Sequence, residues 1–399
     1  MSIDPALPFS GRIATLRKDV HALNLDAFVI THLPNLRYVT GFTGTAGAAI
    51  VSASRCTLLV DFRYVTAARE LLAGFPESLV DLHIVDGPYD DALIDVLGAL
   101  VPAPGLSEHR ESNGWVHAAR IGVEGASMTI NRFNRLSASL GRPSPGSAEE
   151  SGTIGTVTLV PTERVIEARR AVKDTFEIAT LREAARRLSR VAWDVPAFVQ
   201  EGRSELAIAA DIDSAIRAAG FERPAFETIV ASGVNSARPH ARPGTRTLAA
   251  GDGVVLDFGG IYDGYCVDLT RTLQVGVPGP ELRRLAGAVR EAHAAAIAAV
   301  RPGARPSEID AAARGVLARH GLAEAFGHGT GHGLGLEVHE DPRISKLPGA
   351  LPDDPVVPGM VFTIEPGAYV GGLGGVRIED DVLVVEGGCD VLTDVPIGF

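Results

Sequence analysis

Cysteine is scarce and odd in number. Cys56, Cys266 and Cys389 lie far apart, which excludes a disulfide framework and fits a reducing compartment. Positive charge is short as well: the net charge is −12 and no basic run offsets it, so nucleic acid is not expected as a partner. No stretch approaches the roughly 18 apolar residues of a membrane span. The opening MSIDPALPFSGR has no basic segment leading into an apolar one, so no signal peptide is expected. These absences point to a cytoplasmic protein with neither a nucleic-acid nor a membrane partner. What is present is globular in character: 46% apolar and 22% charged residues over 399 positions, more chain than one ordinary core holds, so two domains are expected.

The two stretches differ in rhythm. Residues 1–161 alternate helix and strand signals. Gly11–Leu25 reads as an amphipathic helix and Asp26–Thr31 as a buried strand, with NLRYVTGF and AGAAIVSA following. CTLLV and Arg120–Gly125 read as further strands, and Tyr64–Ala73 and Asp91–Val101 as helices. Such alternation implies a mixed or parallel sheet covered by helices, an α/β domain. SAEESGTIGTV breaks the pattern and places a boundary near Thr162. In residues 162–399 one order occurs twice. Helices over Thr175–Gln200 and Ser204–Ala219 precede strands from Ala225 to Val275. Helices over Glu281–Val300 and Pro306–His320 precede strands from Gly327 to Val385. The repetition predicts an α+β domain of two pseudo-twofold-related halves, with a site where the strand blocks meet.

Five side chains carry most of the functional information: Asp257, Asp268, His332, Glu365 and Glu379. Each sits in an apolar, glycine-rich, strand-like run such as VVLDFGG, GMVFTIEPG or GGVRIEDDVLVV. A buried carboxylate is costly unless paired, and four converging on one core would each raise the others' pKa. Two divalent cations held by four carboxylates and one imidazole would bring the balance near neutrality. Asp257 and Asp268 are 11 residues apart around Asp263-Gly264, which reads as a tight turn between antiparallel strands. Mostly oxygen donors with one nitrogen suit manganese, cobalt or zinc. Histidines form the second signal: His328, His332 and His339 fall within twelve residues, in a run too glycine-rich for a helical zinc motif, and His240 lies in SGVNSARPHARPG. Beside a metal pair, neutral imidazoles suit proton transfer and oxyanion stabilisation.

The runs VLDFGGIYDGYCVDLTRT, GHGTGHGLGLEVHE, PGMVFTIEPGAY and GGVRIEDDVLV resemble those of the M24 metallopeptidases of pita-bread fold, in the two-domain aminopeptidase P/prolidase group. The resemblance covers nearly the whole chain. It implies a creatinase/prolidase-like α/β domain over residues 1–161 and a pita-bread catalytic domain over residues 162–399. By the same resemblance, Asp257 holds one metal ion, Asp268 and Glu379 bridge both, and His332 and Glu365 complete the other. Manganese is the first expectation. Glu365 would pass a proton to the leaving prolyl nitrogen, His240 would stabilise the tetrahedral intermediate, and His339 would contact the proline side. His328, Tyr369 and Arg377 fall at substrate-binding or supporting positions. The implied substrates are small peptides with proline second, and the implied assembly is a homodimer. NLRYVTGFTGTAGAAIV and LLVDFRY favour an Xaa-Pro aminopeptidase. So does the loop DPRISKLPGALPDDPVVPG, which has no arginine about 14 residues before Glu365; Arg343 and Lys346 come earlier in it. An Xaa-Pro dipeptidase is the alternative. A metal-dependent hydrolase of a non-peptide C–N bond and an inactive binding protein follow behind.

Overall fold

The computed structural model describes residues 7–100, 119–140, 157–346 and 353–397. The pattern break in SAEESGTIGTV lies, but for its last residue, outside the described residues. By contacts the chain forms two compact units, Met1–Glu167 and Ala168–Phe399.

The first unit is built on six strands: β1 (Ala27–Ile30), β2 (Ala48–Ser52), β3 (Cys56–Asp61), β4 (Asp81–Val85), β5 (Ala119–Glu124) and β6 (Val157–Thr162). Their order is β4-β3-β2-β1-β5-β6. The sheet is mixed: β2 runs antiparallel to both neighbours, while β1/β5, β5/β6 and β3/β4 are parallel. Helices α1 (Leu7–Ala22), α2 (Leu33–Thr40), α3 (Val65–Leu72), α4 (Tyr89–Leu100) and α5 (Ile130–Leu140) alternate with the strands. The first helix starts four residues before Gly11, because a proline such as Pro8 is compatible with a first turn whose N–H groups lack helical partners anyway. NLRYVTGF, next after the first strand, is helical: Pro34 sits in the first turn of α2 and Gly41, at φ +76°, closes it.

After the four-residue α6 (Glu167–Arg170), the second unit repeats one motif. Helices α7 (Thr175–Asp194) and α8 (Glu205–Ala218) precede β7 (Arg223–Pro224), β8 (Ile229–Ser232), β9 (Gly253–Tyr262) and β10 (Tyr265–Gln274). Helices α9 (Pro280–Ala299) and α10 (Pro306–Arg319) precede β11 (Gly331–Gly333), β12 (Glu340–Ile344), β13 (Val361–Ile364), β14 (Gly367–Val370), β15 (Gly374–Arg377), β16 (Asp380–Val385) and β17 (Gly388–Val391). Local chemistry starts the helices where the periodicity begins. Asp174 and Glu177 form a reciprocal capping box on α7, Ser204 caps α8, and prolines open α9 and α10. Each helix pair seals its own apolar core. Leu181, Leu188, Ile208 and Ile212 pack with Val254, Leu256 and Leu269; Leu285, Val289, Ile309 and Leu317 pack with Phe362, Ile364 and Val382. The blocks meet where Thr270 pairs with Glu379 in a single bridge. Among the described residues no helix is long and apolar enough to cross a membrane.

Candidate metal centre and active site

The β9–β10 hairpin sets the first two carboxylates. Asp263 (φ +44°) and Gly264 (φ +70°) take the left-handed conformations that a two-residue turn matching strand twist requires. The register then places Asp257 opposite Thr270 and Asp268 opposite Gly259. Side chains alternate faces along a strand, so Asp257, Asp268 and Thr270 all project from one face. That face is buried: Asp257 is 8% exposed and Asp268 5%.

The second block supplies the rest. His332 is the centre of β11, between Gly331 and Gly333. A Cβ at either glycine would run into the backbone of Thr363 or Asp341, so only glycine lets the neighbouring chains close around the imidazole. Glu365 directly follows β13, and its N–H donates to Thr330 O (2.7 Å). Glu379 lies between β15 and β16, where its N–H donates to Thr270 O (3.1 Å) and its carboxylate accepts from the Thr270 hydroxyl. Ligand atoms of Asp268, His332 and Glu379 lie within 4.8 Å of one another. His332 Nε2 is 3.6 Å from Glu365 Oε1. Every predicted site residue except Tyr369 lines one cleft of about 530 Å³. Tyr369 stands behind it.

Hydrogen bonds fix the imidazole tautomers. His332 Nδ1–H donates to Gly333 O (3.1 Å), which leaves the Nε2 lone pair facing the carboxylates and able to hold a metal ion. His328 Nδ1–H donates to Gly329 O (2.8 Å); its Nε2 accepts from the Tyr369 hydroxyl (3.0 Å), which in turn accepts from Arg377 Nη1 (3.1 Å). Burial, followed by the like-signed His339, pushes His332 down to about 3. Burial, followed by Arg377, pushes His328 down to about 4, so both rings are neutral near pH 7. The His339 ring packs edge-on to His332 at 4.3 Å between centroids.

The electrostatics carry a deficit. Arg377, 2% exposed, ion-pairs with Asp257 Oδ2 and donates to Thr270 Oγ1 (3.1 Å), so a single buried guanidinium lies among four carboxylates. Burial, then repulsion from Glu379 and Asp257, pushes Asp268 well above the carboxylate range. Glu379 rises for the same reasons, with Glu365 as its strongest repelling neighbour. Burial lifts Glu365 to about 7, with Arg377 pulling the other way. Asp257 Oδ1 and Asp268 Oδ1 are buried and accept no hydrogen bond from the described residues. Two orphaned carboxylate oxygens, an outward-facing Nε2 and an excess of negative charge fit divalent cations and fit little else.

Some residues of the site escape a reading of the sequence. Thr270, which joins Glu379 to Arg377, was signalled only by its place two residues after Asp268 in a strand. Asp381, fully buried, accepts from Asp268 N–H (3.1 Å) through Oδ2. Asp310 and Arg314, a turn apart on α10, hold the His328 segment: Asp310 Oδ1 accepts from Thr330 N–H and Oγ1–H, and Arg314 donates to Phe326 O and His328 O. Nothing local in the sequence marks those four as partners. The stretch read as loop after His339 also needs correction. Residues Glu340–Ile344 form β12, which pairs with β11 and sets Arg343 directly across from His332. Its glutamate is anchored from below: the Glu340 side chain, 5% exposed, ion-pairs with Arg170 and with Lys173 (3.4 Å), two cations with almost no solvent access.

The family pattern of the M24 metallopeptidases matches residues 179–386, and that of the creatinase/prolidase N-terminal domain matches residues 12–172. A Bacillus subtilis protein named uncharacterized peptidase YqhT is 35% identical over 385 residues, 96% of this chain and 98% of that protein. Among solved structures, an Xaa-Pro dipeptidase from Bacillus anthracis superposes with a TM-score of 0.83 at 32% identity, covering 97% of this chain and 98% of the other. An X-Pro aminopeptidase from Thermotoga maritima superposes at 0.78 with 30% identity, covering 96% and 99%. A pita-bread domain with carboxylates and one imidazole between its halves defines a metal-dependent hydrolase. The chain belongs to metallopeptidase family M24, and its fold is the α+β pita-bread catalytic domain joined to a creatinase/prolidase N-terminal domain.

Proposed function

We propose that this peptidase removes an N-terminal residue that precedes proline, using two divalent cations. The observation that carries the reading is the convergence of Asp268, His332 and Glu379, with Asp257 and Glu365 beside them, around buried oxygens that have no partner among the described residues. Asp257 would hold one ion, Asp268 and Glu379 both, and His332 and Glu365 the other, with manganese first and zinc or cobalt as alternatives. When bound, the ions supply Lewis-acid charge at the scissile carbonyl and a nucleophile at neutral pH. The remaining work belongs to the side chains. Glu365, lifted toward neutrality by burial, can take a proton and return it to the leaving nitrogen. His240 and His339 line the cleft; His240 would donate to a developing oxyanion and His339 would contact the proline half. The excess of carboxylate favours a substrate with a free α-ammonium group. A prolyl amide has no N–H, so the wall beside the leaving nitrogen has no donor to satisfy.

The sequence favours an aminopeptidase acting on Xaa-Pro-Xaa and longer peptides. A dipeptidase is the second reading, and one observation favours it: Arg343, opposite His332, lines the cleft and makes no ion pair among the described residues. It could hold a dipeptide's free carboxylate. The test compares Xaa-Pro, Xaa-Pro-Xaa and Xaa-Ala-Xaa peptides on the manganese-loaded protein. Proline peptides should be cleaved and alanine peptides spared; equal cleavage of both would overturn the reading. Arg343→Ala separates the two lengths. For a dipeptidase it should cost Xaa-Pro about tenfold or more in kcat/KM. For an aminopeptidase it should leave the ratio of tripeptide to dipeptide cleavage unchanged.

A further inference from the structure

We propose that Glu205 is the positioning residue for His240, a reading that rests on the role given to His240 above. Glu205 opens α8 and is fully buried. A carboxylate there could serve its own helix, but Ser204 already caps α8 by accepting from Ala207 N–H. Glu205 instead faces the segment that carries His240 and holds both its ends. Oε1 accepts from Ser232 N–H (2.8 Å), Ser232 Oγ–H (2.7 Å) and Asn235 Nδ2 (3.0 Å). Oε2 accepts from Gly244 N–H (3.2 Å) and Asn235 Nδ2 (3.2 Å). The backbone of the same helix turn reinforces the grip, with Glu205 N–H donating to Arg246 O and Leu206 N–H to Gly244 O, each at 3.0 Å.

Between these anchors the segment is half-buried, but Arg238, His240 and Arg242 are exposed. The His240 ring has no hydrogen bond of its own among the described residues, so its place at the cleft depends on the backbone that carries it. The far side of that backbone is held by Arg377 Nη1, which donates to Pro239 O (3.1 Å). The loop is thus stretched between a buried glutamate and the guanidinium that pairs with Asp257. Four donor groups make five hydrogen bonds to this one buried carboxylate, and two of them are backbone N–H groups that an apolar side chain in its place would leave unsatisfied. What they supply is a fixed path for a ring that must meet a transition state.

Glu205→Gln tests this with volume retained. One amide oxygen can still serve Ser232, but the amide nitrogen then faces the Gly244 N–H, donor against donor. An oxyanion donor acts in the transition state, so kcat should fall about tenfold with KM within about twofold of the parent. Metal content should match the parent. Asn235→Ala loosens the same grip with the buried charge kept, and should give a smaller loss, about threefold, also in kcat. The decisive readout is a double-mutant cycle with His240→Ala. Once the ring is gone its placement no longer matters, so Glu205→Gln should cost less than about twofold more in that background. An unchanged kcat in Glu205→Gln, or the same tenfold loss with and without His240, would overturn the positioning role. A His240→Ala enzyme with parental kcat would instead sink the reading of His240, and this inference with it.

Discussion

Asp268→Asn is expected to lose activity by about 10³-fold or more, because it weakens the carboxylate proposed to serve both ions at the centre of the group. The same change should stabilise the chelated protein. Asp268 is buried among Glu379, Asp257, Asp381 and Glu365, and its ionisation is resisted by burial first and by those charges next. Its folded pKa stands above its unfolded value, so the folded state keeps a proton that the unfolded state has released. Stability therefore falls as pH rises from about 4 upward, the ordinary aspartate range. Asparagine escapes that loss, so the gap in melting temperature between variant and parent should widen as pH rises. Adding metal should reverse the order, because only the parent has the full site through which mass action stabilises the fold. Differential scanning calorimetry of both proteins, with chelator and with manganese, reads this directly. A variant that binds two ions as tightly as the parent would show that Asp268 is not a shared ligand.

The second large effect concerns the two imidazoles proposed to act on substrate rather than to hold metal. His240→Ala and His339→Ala should each reduce kcat/KM by about 10²-fold while two ions stay bound. His339 packs against His332, but His332 keeps its own support in Gly333 O and Thr363 Oγ1, so truncating the outer ring should leave the ligand in place. Activity and metal content measured on the same preparation decide the matter. Loss of an ion in either variant would make that histidine a ligand. Undiminished turnover would remove it from the chemistry.

Much of this was legible in the sequence because the site is written in strands. Asp257 and Asp268 flank a turn whose Asp-Gly pair has a single conformational meaning, and a hairpin of fixed register makes their convergence nearly automatic. The doubled helix-pair and strand-block order is likewise visible, because amphipathic helices and fully buried strands leave different periodicities. What stayed hidden depends on pairing between distant segments. Thr270 meets Glu379, Asp381 meets the N–H of Asp268, and Glu205 meets Gly244, each across a separation that no local pattern encodes. The strand carrying Arg343 was hidden for another reason: proline and charge in DPRISK read as loop, and its pairing is supplied by the glycine-flanked His332 rather than by its own propensity.

Four carboxylates and one imidazole are proposed to hold two catalytic cations. The measurement that tests this most directly is a manganese titration of the chelated protein, with binding followed by calorimetry and hydrolysis of an Xaa-Pro-Xaa peptide assayed at each point. The account predicts no turnover without metal, two ions bound per chain, and activity that rises as the pair is completed. Full hydrolysis by the chelated protein would contradict it, as would saturation of the site without any gain in turnover.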